Sequence, residues 1–120
     1  MSGKAVMAVQ NWSDSVVGVS LENHPQFNQQ VDELLAALEG NPSADVLLDF
    51  ASVHYINSSN ITRLLKLRER VTVNQNRRLV LCSVVTDVRD VMRISALDRN
   101  FAFAPDIRAG LDMVHLEPPG

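Results

Sequence analysis

The sequence predicts an α/β fold with a mixed β-sheet of about four to five strands, about four to five helices and a leading β-hairpin. Residues 46–50 and 79–82 are short and nearly all apolar, as is typical of strands buried on both faces. Amphipathic stretches follow them, so strands alternate with helices that cover at least one face of the sheet. A chain of 120 residues has room for one core, which predicts a single domain over residues 1–120.

The leading hairpin is predicted from two β-favouring segments, residues 5–9 and 16–21. Between them, residues 11–14 read Asn-Trp-Ser-Asp. Asn, Ser and Asp favour turns because their side chains bond to the local backbone. We therefore expect the turn of the hairpin at residues 11–14.

The first helix is predicted after Pro25 and before Gly40. Its apolar residues share one face at helical spacing. They are Phe27, Val31, Leu34, Leu35 and Leu38. Gly40 tolerates a left-handed conformation, and the following Asn41-Pro42 cannot continue a helix, so we expect the helix to end there.

The second half of the chain continues the alternation. We expect a helix over residues 58–73, a strand over 79–82 and a third helix capped by Thr86. A short last strand is predicted at residues 101–103. Pro105 suits the first turn of a final helix, and residues 116–120 are expected to form a flexible tail.

Composition excludes several classes of function. The net charge of −3 and an aromatic content of 5% argue against a nucleic-acid-binding protein. A single cysteine, Cys82, cannot form an internal disulfide, and its apolar surroundings predict an inert core residue. No run is long enough to cross a membrane and the start does not resemble a signal peptide, so we expect a cytoplasmic protein, by default a monomer.

No catalytic or cofactor motif is evident. His24, His54 and His115 do not have metal-ligand spacing, and the glycines form no phosphate loop, so neither a metal nor a cofactor is expected. A hydrolase using Ser58 and His54, with Asp49 as orienting carboxylate, is an alternative. The sequence lacks the glycine-rich elbow that exposes a nucleophilic serine, which argues against an enzyme.

The four residues Asn57, Ser58, Ser59 and Asn60 are the most informative in the chain. They follow an apolar strand and open an amphipathic helix. Backbone N–H groups at a helix N-terminus are unpaired and the helix dipole is positive there, so a phosphate on Ser58 would lie in an anion site. A capped helix start without modification explains the same residues, because Ser and Asn are ordinary capping residues.

Residues 46–65 resemble the signature of STAS domains, which occur in sulphate transporters and in bacterial anti-sigma-factor antagonists. The family pattern is an apolar strand ending in Asp, a hydrophobic loop position, and Asp-Ser-Ser-Gly opening a helix with a leucine pair. Here Asp49, Ile56, Ser58 and Ser59 match, as do Leu64 and Leu65. The order of elements fits the family over nearly the whole chain, whereas residues 18–23 match only loosely.

The resemblance implies a protein-binding switch rather than an enzyme. In antagonists of this type an anti-sigma kinase phosphorylates the first serine of the pair, which is Ser58 here, with Ser59 as second choice. The unphosphorylated form binds the anti-sigma factor, phosphorylation releases it, and a phosphatase resets the switch. The implied partner surface includes residues 57–60.

Two residues depart from the family pattern. Asn57 replaces Asp, so it keeps a capping oxygen but removes a negative charge beside Ser58. Asn60 replaces Gly and adds a side chain where a kinase or phosphatase loop would approach. These changes motivate an alternative with the same fold, namely an unphosphorylated binding subunit of a transporter complex or a stress-signalling scaffold.

Three basic residues lie on one flank of the second helix: Arg63, Lys66 and Arg70. Charged positions on a helix usually form its solvated face. A docking surface for an acidic partner helix beside Ser58 is the sharper interpretation.

Overall fold

The computed structural model describes residues 9–13 and 15–115. Its sheet has five strands in the order β1 (Val9–Ser13), β2 (Val16–Glu22), β3 (Asp45–Ser52), β4 (Leu79–Cys82) and β5 (Ala102–Ala104). The first pair is antiparallel and the other three pairs are parallel. The described part of the chain therefore has the predicted mixed sheet with a leading hairpin.

In the described part of the chain, four α-helices connect or follow the strands: α1 (Gln26–Glu39), α2 (Ser58–Arg68), α3 (Thr86–Ile94) and α4 (Ile107–His115). A π-helical turn, Glu69–Asn74, extends α2, and a 3-10 turn, Asp98–Asn100, precedes β5. The helix predicted over residues 58–73 thus continues to Asn74, but its last part has wider hydrogen-bonded turns.

Alternation along the strands divides the core between the two faces of the sheet. In β3, Val46, Leu48 and Phe50 point to the face that α1, α2 and α3 cover, whereas Leu47 points to the face of α4. All four side chains are fully buried. The strand is therefore buried on both faces, as its apolar sequence predicts.

The predicted hairpin turn at residues 11–14 is wrong for Asn11 to Ser13, which lie in β1. Ladder pairing with β2 overrides the turn preference of these residues, and the register shifts between Asn11 and Ser13. Of the predicted first strand, residues 5–8 lie outside the described part of the chain. Asp14 and the predicted tail, residues 116–120, also lie outside it.

Two predicted helix starts need correction, and the predicted end of the first helix at Gly40 is confirmed without the left-handed conformation. Thr86 is the first residue of α3 and Val85 is the N-cap, because the Arg89 N–H donates to Val85 O. Pro105 precedes α4, whose first turn is capped by Asp106: its Oδ1 accepts from the Ala109 N–H at 2.8 Å. Gly40 ends α1 with φ −88°, a right-handed conformation that does not require glycine.

Candidate functional site

The predicted switch residues lie where the chain leaves β3 and enters α2. Val53 and Ile56 are buried and anchor this connection, while His54 and Tyr55 between them are exposed. The His54 N–H donates to Asn23 Oδ1 at 2.8 Å. The connection after β3 is therefore tied to the one after β2, and the two loops form one edge of the site.

Asn57 caps α2, as predicted. Its extended backbone (φ −116°, ψ 179°) directs Oδ1 to the Asn60 N–H at 2.9 Å. In return, the Asn57 N–H donates to Asn60 Oδ1 at 2.9 Å. This reciprocal capping box satisfies two first-turn donors and fixes the start of the helix. The N–H groups of Ser58 and Ser59 remain at the positive end of the helix dipole.

Asn60 is fully buried and its side chain points into the protein. Besides its bonds to Asn57, its Nδ2 donates to Oδ1 of Asn28 in the first turn of α1, at 2.9 Å. The side chain that replaces the family glycine therefore joins α2 to α1 and does not project toward an approaching protein. Its place in a partner interface stays a prediction.

The two serines have different surroundings. Ser59 is half-buried; its Oγ donates to Asn57 Oδ1 at 2.8 Å and accepts from Asn28 Nδ2 at 3.1 Å. Ser58 is exposed, and within the described residues its Oγ makes no hydrogen bond. Of the two candidate phosphorylation sites, Ser58 thus presents the accessible hydroxyl.

The three residues of the predicted basic flank have different surroundings. Arg63 makes a bidentate ion pair with Asp32 of α1, in which Nε donates to Oδ1 at 2.9 Å and Nη2 donates to Oδ2 at 3.2 Å. The hydrogen bond and charge of Asp32 raise the pKa of Arg63 above its ordinary value. Arg63 therefore ties the helices together one turn beyond Asn28, an exposed pair worth about 0.2–1 kcal/mol.

Lys66 and Arg70 line a groove of about 420 Å³ between α1 and α2. Three carboxylates line the same groove: Asp32, Glu39 and Glu69. The groove is thus mixed in charge. Its composition does not favour the acidic partner helix that the sequence suggested.

The alternative catalytic group is not assembled. Ser58 and His54 share no hydrogen bond in the described structure, and the Asp49 carboxylate accepts from the Ala51 N–H at 2.9 Å. Cys82 is fully buried. Desolvation, followed by the charges of Asp49 and Asp106, raises the pKa of its thiol to about 12, so it remains an unreactive thiol.

Neither a metal centre nor a membrane span is found in the described residues. No group of three or more histidine, cysteine or carboxylate side chains is arranged to hold a metal ion there. Within the same residues, no helix has the length and apolar character needed to cross a bilayer.

Sequence reasoning missed the contribution of α1 and its preceding loop. Asn23, Asn28 and Asp32 each bond to a residue 31 or 32 positions later in the chain. Two consecutive strand–helix units therefore lie side by side with a nearly constant offset. The i, i+4 spacing of Asn28 and Asp32 places them on one face of α1, but it does not indicate which partners they meet.

Comparison with known proteins gives a consistent family assignment. The family model of the STAS domain matches residues 18–110. Comparison with curated protein sequences gives no match.

Several solved structures have the same fold. An anti-sigma-factor antagonist (STAS) domain protein from Planctomyces limnophilus is 24% identical, with a TM-score of 0.72 over 88% of this chain and 95% of that one. A serine-to-glutamate variant of RsbS from Moorella thermoacetica is 21% identical, with a TM-score of 0.75 over 93% and 97%.

The cell-fate determinant SpoIIAA of Bacillus, solved in its phosphorylated form, is 16% identical, with a TM-score of 0.67 over 88% of this chain and 96% of that one. At identities this low, the similarity to the solved structures shows the fold alone. The family model spans more than three quarters of the sequence and establishes the family. The chain belongs to the STAS domain family.

Proposed function

We propose that this protein is a phosphorylation-controlled binding module of the anti-sigma-factor antagonist type, switched at Ser58. In its unphosphorylated form it binds an anti-sigma factor that is also a serine kinase, and a phosphatase restores that form. This role belongs in the cytoplasm, where transcription is controlled, and requires no catalysis by the chain itself. One structural relative is named an anti-sigma-factor antagonist and another, SpoIIAA, is known in a phosphorylated form, and both facts support the proposal.

The observation that carries the proposal is the exposed hydroxyl of Ser58 in the first turn of α2. A kinase would form a bond between Ser58 Oγ and the γ-phosphorus of ATP, breaking the bond to the β-phosphate oxygen. The hydroxyl proton would pass to a base of the kinase, and ADP would leave. Because Ser58 Oγ makes no hydrogen bond with described residues, the attack would disrupt none of those contacts.

The helix start suits the product of this reaction. A phosphoserine adds a charge of about −1.5 to −2. The capping box occupies the N–H groups of Asn57 and Asn60, which leaves those of Ser58 and Ser59 to face the phosphate. Asn57 is neutral where the family has Asp, so it adds no repulsion beside the phosphate. We therefore expect phosphorylation to leave the fold nearly unchanged.

Control of binding follows from the change at the surface. A partner seated on Ser58 and the edge of Asn57 would meet a new charge inside its interface. An unpaired buried charge weakens association by several kcal/mol. Lys66 on α2 and Arg70 on the π-helical turn that follows it extend this proposed surface, while Ser59, Asn60 and Arg63 hold it in place through α1.

Incubation with ATP and the cognate kinase, sought among the products of neighbouring genes, tests the proposal. We expect the intact mass to rise by about 80 Da, the mass of one phosphoryl group. The Ser58→Ala variant should show no increase, whereas Ser59→Ala should be modified like the unchanged protein. Phosphorylation that persists in Ser58→Ala would contradict the site assignment.

A second candidate keeps the fold without the switch: a constitutive binding subunit of a transporter complex or of a stress-signalling scaffold. It is favoured by the missing acidic residue at Asn57, where the family pattern has Asp. Recovery of transporter subunits and no anti-sigma factor in a pull-down, with full activity of Ser58→Ala in cells, would support it against the switch.

A further inference from the structure

The first turn of α2 offers two adjacent serine hydroxyls, and among the described residues only one of them is held by neighbouring side chains. Ser59 Oγ uses its proton to bond Asn57 Oδ1 at 2.8 Å and receives a second bond from Asn28 Nδ2 at 3.1 Å. Ser58 Oγ has no such contact with a described residue. The difference between the serines therefore arises from side chains around them rather than from helix position alone.

Asn28 is the part of this arrangement that comes from another helix. Its Nδ2 donates to Ser59 while its Oδ1 accepts from the fully buried Asn60 at 2.9 Å. Because both ends of the amide are engaged, the orientation of the side chain is fixed. The Asn28 amide that anchors Asn60 therefore also holds Ser59 Oγ through a hydrogen bond.

A phosphate would have opposite effects at the two positions. On Ser59 it would replace the proton that bonds Asn57 Oδ1 and place acceptor oxygens against that acceptor, in a half-buried space between helices. The bond to Asn57 Oδ1 would be lost, and the phosphate oxygens would repel this oxygen, which also accepts the capping bond from the Asn60 N–H, so the helix start would be destabilised. On Ser58 the phosphate would enter solvent next to a helix N-terminus and break no bond with a described residue.

We propose that Asn28 is a positioning residue that determines which of the two serines can carry a phosphate: it holds Ser59 in the helix-to-helix network and leaves Ser58 available. The biological use of this selection rests on the proposed function. The selection itself is a property of the folded chain, so it can be tested without a kinase.

The test uses full-length protein carrying phosphoserine at position 58 or 59, inserted during translation. Urea unfolding gives the folding equilibrium constant of each form. Phosphoserine at 58 should leave the constant within about threefold of the unmodified protein. Phosphoserine at 59 should lower it by at least about tenfold relative to phosphoserine at 58. Equal constants for the two phosphorylated forms would overturn the proposal.

The Asn28→Ala variant identifies the responsible side chain. If Asn28 had a purely structural role, its loss would lower the stability of both phosphorylated forms equally. If Asn28 positions Ser59, the gap between the two forms, meaning the ratio of their folding equilibrium constants, should shrink to less than about threefold. Asn28→Ser, which keeps a polar group but cannot reach both partners, serves if Asn28→Ala does not fold. An unchanged gap in the folded variant would refute the role of Asn28.

Asp32→Ala is the matched control, because it breaks the other tie between the same helices one turn away. It should leave the gap between the two phosphorylated forms as in the unchanged protein. Since no kinase is involved, failure of this test would leave the proposed function standing. Conversely, a protein that no kinase modifies would still show the gap.

Discussion

Replacement of Asn60 by glycine, the residue of the family pattern, is expected to destabilise this protein. The side chain is fully buried and makes two hydrogen bonds, from the Asn57 N–H and to Asn28 Oδ1, each at 2.9 Å. A hydrogen bond contributes about 0.5–1.5 kcal/mol net, and glycine is less favourable in a helix by a few tenths of a kcal/mol. Asn60→Gly should therefore lower the free energy of unfolding by about 1–3.5 kcal/mol.

Urea unfolding followed by circular dichroism measures this loss as a lower midpoint at constant slope. Ser58→Gly is the matched control, because it introduces the same residue in the same helical turn at an exposed position. It should cost no more than about 0.5 kcal/mol. If Asn60→Gly cost as little as Ser58→Gly, the buried network would not stabilise the helix start as argued.

Three other predictions concern the core. Gly110→Ala should cost about 1–3 kcal/mol, since its Cβ would lie 2.6 Å from Cys82 Sγ, and Cys82→Ala in the double variant should relieve much of that loss. Asp45→Ala should lower the free energy of unfolding by about 2–4 kcal/mol. The reason is that the buried carboxylate accepts from the Arg77 guanidinium at 3.1 Å and from the Arg78 N–H at 2.8 Å. A loss below about 0.5 kcal/mol would contradict this role of Asp45. Burial raises the pKa of Cys82 from its ordinary 9.0 to about 12, so the thiol keeps its proton in the folded state. A disulfide reagent at pH 8 should therefore react with Cys82 only once urea unfolds the chain. Rapid labelling of the native protein would disprove this protection of the thiol.

The sequence predicts those features of this protein that depend on local chemistry. Strands β3 and β4 follow from their apolar runs, and the cap at Asn57 follows from an asparagine placed before a helical pattern. The accessible position of Ser58 follows from the same local geometry. For these residues the neighbouring chain is enough to determine the environment.

Features that depend on distant partners could not be predicted. Asn60 is buried because Asn28 lies 32 residues earlier, and Arg63 is paired because Asp32 lies 31 residues earlier. The errors at Thr86 and Pro105 have a related cause, since the path of the chain after a strand decides which residue can cap the next helix. Capping preference alone leaves several candidates open.

Control of binding by a phosphate on Ser58 is tested by measuring the affinity of the cognate anti-sigma factor for two forms of the protein. One form carries serine at position 58 and the other carries phosphoserine, inserted during translation. Phosphoserine at position 58 should raise Kd by at least about 100-fold, equivalent to about 2.8 kcal/mol of binding free energy. The same Kd for both forms would contradict it.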